Sequence, residues 1–305
     1  MSARVSSCRR SHQVRVTRRT HQRYRCFTMR TASTGAFNDP IASHHHEVKV
    51  KWHEQFYDFI RWIRGTRVLV VAHRGLHTAA PENSLAAVQA AVRAGCSRIE
   101  VDVRATGDGH LVLMHDATLG RTTSGSGTLA EVRAHELGEV RLADGSPVPS
   151  LHEVLEVTRD RAVLCIDVKE PELGPDVMAL VDTVGAAAEV WSSHREVVAR
   201  ASDGRHFAAW ISHGVMPDGG PEELADEATQ LGALALSFYP ADVLPSVVDA
   251  CRHASLGVMS GTPNDRPTWA NLHRFGVRAV ITDRPLDCAT WLSEGAAPQS
   301  FAGRG

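Results

Sequence analysis

From residue 67 onward, short apolar and β-branched runs recur at 68–72, 98–103, 163–168, 189–192, 207–212, 233–237, 256–260 and 278–282. Between most of them lie stretches whose apolar positions fall three and four apart, at 84–94, 151–158, 175–184, 195–201, 221–231, 241–254 and 267–275. Strand-length runs alternating with helix-spaced segments predict β–α units with helical crossovers, and so a parallel sheet. Eight such strands predict closure into one (β/α)8 TIM barrel over residues 67–295.

A ninth apolar run, 111–114, breaks the rhythm, because only a Thr-Gly-Asp-Gly turn at 106–109 separates it from its predecessor. A parallel crossover needs a dozen or more residues, so this run is expected to return antiparallel as a hairpin. The Gly/Ser/Thr-rich stretch up to Pro149 then reads as a loop insertion after the second strand, with no second domain. Upstream, residues 51–66 place Trp52, Phe56, Phe59, Ile60 and Ile63 at helical spacing. An amphipathic helix there is expected to cover the closed end of the barrel, with peripheral membrane contact as the alternative.

Residues 1–50 read as a basic tail. Nine arginines and no acidic residue occur within 1–38, which predicts a disordered arm or an upstream start codon with Met29 as the true first residue. A transit peptide is the other reading. The His44-His45-His46 run is assigned to the tail, since it lacks spaced partner ligands. Residues 296–305 are expected to be a flexible C-terminus.

Charge and composition narrow the function. A net charge of −2 on 305 residues gives no general attraction for nucleic acid or an anionic membrane. No apolar stretch is long enough to span a bilayer. The six cysteines are scattered without a CxxC pair; Cys96 and Cys165 read as small buried hydrophobes. A reducing, cytoplasmic setting is expected.

The candidate chemistry falls at strand ends, where barrels of this kind carry their reacting groups. The first run ends in Ala-His73-Arg74-Gly, the second carries Glu100 and Asp102 on one face, the hairpin strand ends in His115-Asp116, and the next run ends in Asp167-Val-Lys169. Three inward carboxylates would repel unless a cation sits among them, and oxygen-only ligation suits Mg2+ or Ca2+. His73 and His115 offer a general acid and a general base near neutral pH. Arg74 and Lys169 offer a clamp for a phosphoryl group. Together they point to phosphodiester cleavage.

The stretch from Val70 to Lys169 resembles the glycerophosphodiester phosphodiesterase family. It carries His73-Arg74-Gly75, Pro81-Glu82-Asn83, Glu100-Val101-Asp102-Val103, the Asp108-Gly109 turn, His115-Asp116, Arg121-Thr122-Thr123, Pro149-Ser150-Leu151 and Ile166-Asp167-Val168-Lys169. Gly276-Val277 and Ile281-Thr282-Asp283-Arg284-Pro285 extend the similarity to about Leu292. The resemblance implies a TIM-barrel hydrolase of lipid metabolism that releases glycerol 3-phosphate and an alcohol. It implies His73 and His115 as the catalytic pair, Glu100, Asp102 and Asp167 as metal ligands, and Arg74 and Lys169 on the phosphate. Glu82 and Asn83 would support them, unless Asn83 only caps the helix that follows. The chain departs from the family at Asp167, where Glu is usual, and at Gly261-Thr262-Pro263-Asn264, where Trp-Thr-Val-Asn is usual; the missing Trp bears on substrate choice. Two other readings remain: a phospholipase-D-like enzyme of lysophospholipids or sphingolipids, which needs an apolar channel, and a barrel that binds phosphodiesters without turnover.

Overall fold

The computed structural model describes residues 62, 65, 67–78, 80–203 and 206–295. The basic tail, most of the upstream amphipathic segment and the C-terminus at 296–305 lie outside the described residues.

Chain order is β1 (Leu69–Ala72), α1 (Leu85–Arg93), β2 (Arg98–Ala105), β3 (Leu111–Leu113), α2 (Ala134–Leu137), α3 (Leu151–Thr158), β4 (Val163–Val168), α4 (Gly174–Val184), β5 (Ala188–Ser192), α5 (Arg195–Ser202), β6 (Phe207–Ile211), α6 (Gly220–Gln230), β7 (Ala235–Phe238), α7 (Pro245–His253), β8 (Gly257–Gly261), α8 (Arg266–Phe275), β9 (Ala279–Thr282) and α9 (Pro285–Ser293). Eight strands pair in parallel in the order β1-β2-β4-β5-β6-β7-β8-β9, and β9 pairs back onto β1 with Leu69 opposite Ala279. The result is a closed parallel barrel with helices between its strands, as the alternation predicted. The run at 111–114 forms β3, which pairs antiparallel with β2 through Val103 opposite Leu113.

Two apolar layers hold the barrel. The outer one packs helix faces onto strands, with Val88, Leu155, Val177, Val198 and Leu272 each almost fully buried. Each such side chain stabilises the fold by roughly 1.5–3 kcal/mol. The inner one fills the barrel with Val71, Cys165, Trp191, Ala209, Ala235 and Met259. Trp62 closes it from below. Its indole Nε1 donates to the carbonyl of Arg278 at 2.7 Å, and its ring stands where a Cβ on Gly257 would be, 2.9 Å away. Trp62 of the upstream segment therefore meets the closed end; the five predicted stripe residues lie outside the described residues.

Strand register sets the layer that matters for function. Glu100 is opposite Cys165 and Asp102 is opposite Asp167, so alternation turns Asp102 and Asp167 inward at one height. Asp167 is in turn level with Trp191. One level deeper, the buried Glu189 pairs with Arg98 at 2.9 Å and accepts from Trp191 Nε1 at 3.1 Å.

Candidate active site

At the C-terminal ends of β1 to β4 the predicted residues meet around one cavity of about 190 Å3. His73, Arg74, Glu100, Asp102, His115, Asp167 and Lys169 line one side, with Trp191, Ile211, Tyr239 and Ile281 on the other. A larger cavity of about 450 Å3 lies near the start of β1 and α9. Its lining is largely aliphatic, with Arg67 and His273 but no carboxylate, so the smaller cavity is the candidate for chemistry.

Three carboxylates form the floor. Glu100, Asp102 and Asp167 bring ligand oxygens within 4.8 Å of one another, and each is at most 8 % exposed. Burial, with Asp102 beside it, pushes the Glu100 carboxyl up to about 7. Burial likewise raises Asp167, against the pull of Lys169. For Asp102 burial is outweighed by Lys169 and Arg74, which hold it below the usual carboxylate range. Mutual repulsion of buried carboxylates is what a divalent cation relieves, and an all-oxygen set fits Mg2+ or Ca2+. The three residues fit a hard metal ion. Among the described residues a second group, His73, His77 and Asp283, is also close enough to share an ion. Its atoms, however, stand at hydrogen-bonding distances.

The cations are threaded between the acids. Lys169 Nζ donates to Asp102 Oδ1 at 2.7 Å and also pairs with Asp167. Arg74 donates from Nη1 to Glu82 Oε1 at 2.7 Å, while its backbone N–H donates to Glu100 Oε2 at 2.9 Å. Its Nε lies 3.0 Å from Asp102 Oδ2 but out of line, so this buried N–H is left without an acceptor. A buried, unsatisfied guanidinium donor beside the cavity is an incomplete anion site. Arg74 has φ +54°, a conformation that disfavours side chains with a Cβ and that clusters at functional sites. Gly75 follows at φ +82°, where an added Cβ would sit 2.7 Å from the Ala87 backbone.

Glu82 and Asn83 both bond to the cluster, Glu82 to Arg74 and Asn83 to Asp102. Asn83 is 3 % exposed; its Nδ2 donates to Asp102 Oδ2 at 2.7 Å, and its Oδ1 accepts from the Asp102 backbone N–H at 3.1 Å. The helix cap is Ser84, whose side chain accepts from Ala87 N. The capping reading of Asn83 is therefore set aside.

Both histidines are tethered through Nδ1. His115 meets Asp116 Oδ1 at 2.6 Å, and His73 meets Asp283 Oδ1 at 2.7 Å. A carboxylate only accepts, so each Nδ1 carries the proton and each Nε2 is the free position. His73 Nε2 lies 3.9 Å from Glu100 Oε2. Burial opposes charging of His73, but the hydrogen bond to Asp283 and the field of Glu100 raise its pKa. Arg121 donates to Asp116 and, with both terminal nitrogens, to Glu82 at 3.0 and 2.7 Å. A continuous chain thus runs His115–Asp116–Arg121–Glu82–Arg74.

Comparison with known proteins agrees with this geometry. Residues 73–210 match the glycerophosphoryl diester phosphodiesterase family. A glycerophosphodiester phosphodiesterase of Caldanaerobacter subterraneus subsp. tengcongensis is 29% identical over 234 residues, covering 72% of this chain and 95% of its own. Over these stretches the chain is similar to the glycerophosphodiester phosphodiesterase family. It is accordingly an enzyme of the phosphoric diester hydrolase class. The crystal structure of a family member from Agrobacterium tumefaciens superposes with a TM-score of 0.61 at 26% identity, covering 73% of this chain and all of that one. A phosphodiesterase of Oleispira antarctica, in complex with the product sn-glycerol-3-phosphate, has the same fold, with a TM-score of 0.67 at 24% identity over 74% of this chain and 96% of its own.

Sequence reasoning left Asp283, His77, Asn264 and Arg121 without roles, although the family motifs include three of them. Asp283 does follow a strand end, which is the same signal that picked out His73 and Asp167. The cavity's apolar wall was not foreseen, because Trp191, Ile211 and Ile281 look like ordinary barrel-filling residues.

Proposed function

We propose that the enzyme hydrolyses glycerophosphodiesters to glycerol 3-phosphate and an alcohol, at a divalent metal site held by Glu100, Asp102 and Asp167. One observation carries this reading: three buried carboxylates, two cations and two Nδ1-tethered histidines converge on one cavity. The complex of the Oleispira enzyme with sn-glycerol-3-phosphate supports the same product. Mg2+ or Ca2+ bound there supplies Lewis-acid polarisation of a phosphoryl oxygen. Arg74 and Lys169 hold the phosphoryl group through its non-bridging oxygens, Arg through its fork and Lys as a point charge. One histidine takes a proton at Nε2 from the water that attacks phosphorus. The other gives a proton from Nε2 to the departing alcohol oxygen as the P–O bond breaks.

The test is release of glycerol 3-phosphate from a panel of glycerophosphodiesters, with and without chelator. Metal-dependent release is expected; none from any member of the panel would sink the reading.

A second substrate reading has a specific observation behind it. Of the large apolar side chains that are exposed among the described residues, Val215, Met216, Tyr239 and Leu244 follow β6 and β7. These loops abut through His213 and the Tyr239 hydroxyl, 3.3 Å apart, beside the cavity's apolar wall. Clustered exposed apolar residues mark binding surfaces, and here they favour a lysophospholipid chain. Val215→Ser with Leu244→Ser should then raise KM for a lysophospholipid but not for glycerophosphocholine; equal effects on both would remove this reading. No helix among the described residues is long and apolar enough to cross a membrane. Residence in the cytoplasm is supported by the four described cysteines, none of which is in a disulfide, and cell fractionation that finds the protein elsewhere would remove it.

A further inference from the structure

Asp283 follows β9, on the opposite side of His73 from the carboxylate floor, and it does not line the cavity. Both of its oxygens are committed. Oδ1 accepts from His73 Nδ1 at 2.7 Å and from His77 Nε2 at 2.9 Å. Oδ2 accepts from Asn264 Nδ2 at 2.6 Å. Asn264 is itself fixed, because its Oδ1 accepts from the Asp283 backbone N–H at 2.9 Å and from Thr282 Oγ1 at 2.8 Å. Rotating the carboxylate would therefore break bonds on both sides at once. Nor is Asp283 needed to start α9, whose first turn has no side-chain cap.

We propose that Asp283 is the positioning residue for His73, fixing its ring and keeping its proton on Nδ1, and that Asn264 is the peg that holds Asp283 in place. This explains what Asn264 does in a segment that otherwise departs from the family pattern. The inference rests on the reading of His73 as a catalytic acid or base and deepens it. An isosteric amide at 283 cannot satisfy both neighbours. With its NH2 towards His73 it forces Nδ1 to accept, which moves the imidazole proton to Nε2. With its NH2 towards Asn264, two amide donors face each other. In triad hydrolases the corresponding Asp-to-Asn change leaves the geometry intact and lowers kcat about 10⁴-fold through the wrong tautomer.

The experiment uses the full chain with its metal. Asp283→Asn should lower kcat by about 10²–10⁴ with little change in KM, and Asp283→Glu should recover part of the loss. Long-range 1H–15N NMR of labelled histidines at alkaline pH should place the neutral His73 proton on Nδ1 in the wild type and move it to Nε2 in Asp283→Asn. A wild-type His73 with its proton on Nε2 overturns the proposal, and this readout stands even if the variant fails to fold. An inactive His73→Ala beside an Asp283→Asn of near wild-type kcat overturns it too, leaving the acid–base reading intact. A His73→Ala that keeps turnover overturns both.

Discussion

Arg74 combines three roles in one residue: a left-handed backbone, an N–H that donates to Glu100, and a guanidinium held by Glu82 with Nε unsatisfied. Lysine would keep the charge without the fork. Losing a charge-assisted hydrogen bond costs about 1.5–3 kcal/mol, so Arg74→Lys should lower kcat/KM by about 10- to 150-fold. Kinetics equal to wild type would make Arg74 a structural ion-pair partner. His73→Ala and His115→Ala should each lower kcat by about 10²–10⁴; a His115 variant that keeps more than roughly a tenth of wild-type turnover would remove it from the chemistry. That His73, Arg74, Glu100, Asp102, His115, Asp167 and Lys169 gather at one cavity was legible because strand ends are visible as strand ends in sequence. The partners that aim them were not, since Asp283 lies 210 positions from His73 and Arg121 lies 39 from Glu82. Nothing in the local pattern joins them.

Element by element, the pattern of apolar positions was most reliable where a helix buries a continuous stripe. The stretch at 151–158 is α3 to the residue, with Leu151, Val154, Leu155 and Thr158 buried and Ser150 in a capping box with Glu153. The segment at 241–254 shortens to Pro245–His253 behind a 3-10 turn at Pro240–Asp242. Pro245 explains the boundary, as proline is best tolerated in the first turn of a helix. Helix α9 went unread because only Pro285 and Cys288 are buried along it, which leaves no stripe to see. The β1–α1 connection is the element on which the site most depends, because Gly75 packs directly on Ala87 of α1. Gly75→Ala should cost about 1–3 kcal/mol through overpacking, more with its positive φ, and should depress kcat by displacing Arg74. Denaturant unfolding together with steady-state kinetics reads both. Unchanged stability would show that the loop can give way.

Across the whole molecule, eight strands and their helices bring three acids from β2 and β4 together, Asp102 and Asp167 at one height and Glu100 a level below, so metal binding and barrel stability should be linked. A ligand at about 100 times its Kd stabilises the native state by about 2.7 kcal/mol. Mg2+ or Ca2+ should therefore raise the thermal midpoint of the stripped enzyme, and Asp167→Ala should abolish most of that rise. Substitution at Asp167 probes the account best, because this residue departs from the family's usual Glu yet is level with Asp102 across β2 and β4. The decisive measurement is glycerol 3-phosphate release from the metal-stripped enzyme as Mg2+ or Ca2+ is titrated back, in wild type and Asp167→Ala. The account predicts negligible release without metal, saturable recovery in the wild type, and loss of that recovery in Asp167→Ala. Full turnover after stripping, or identical metal curves for the two proteins, would contradict it.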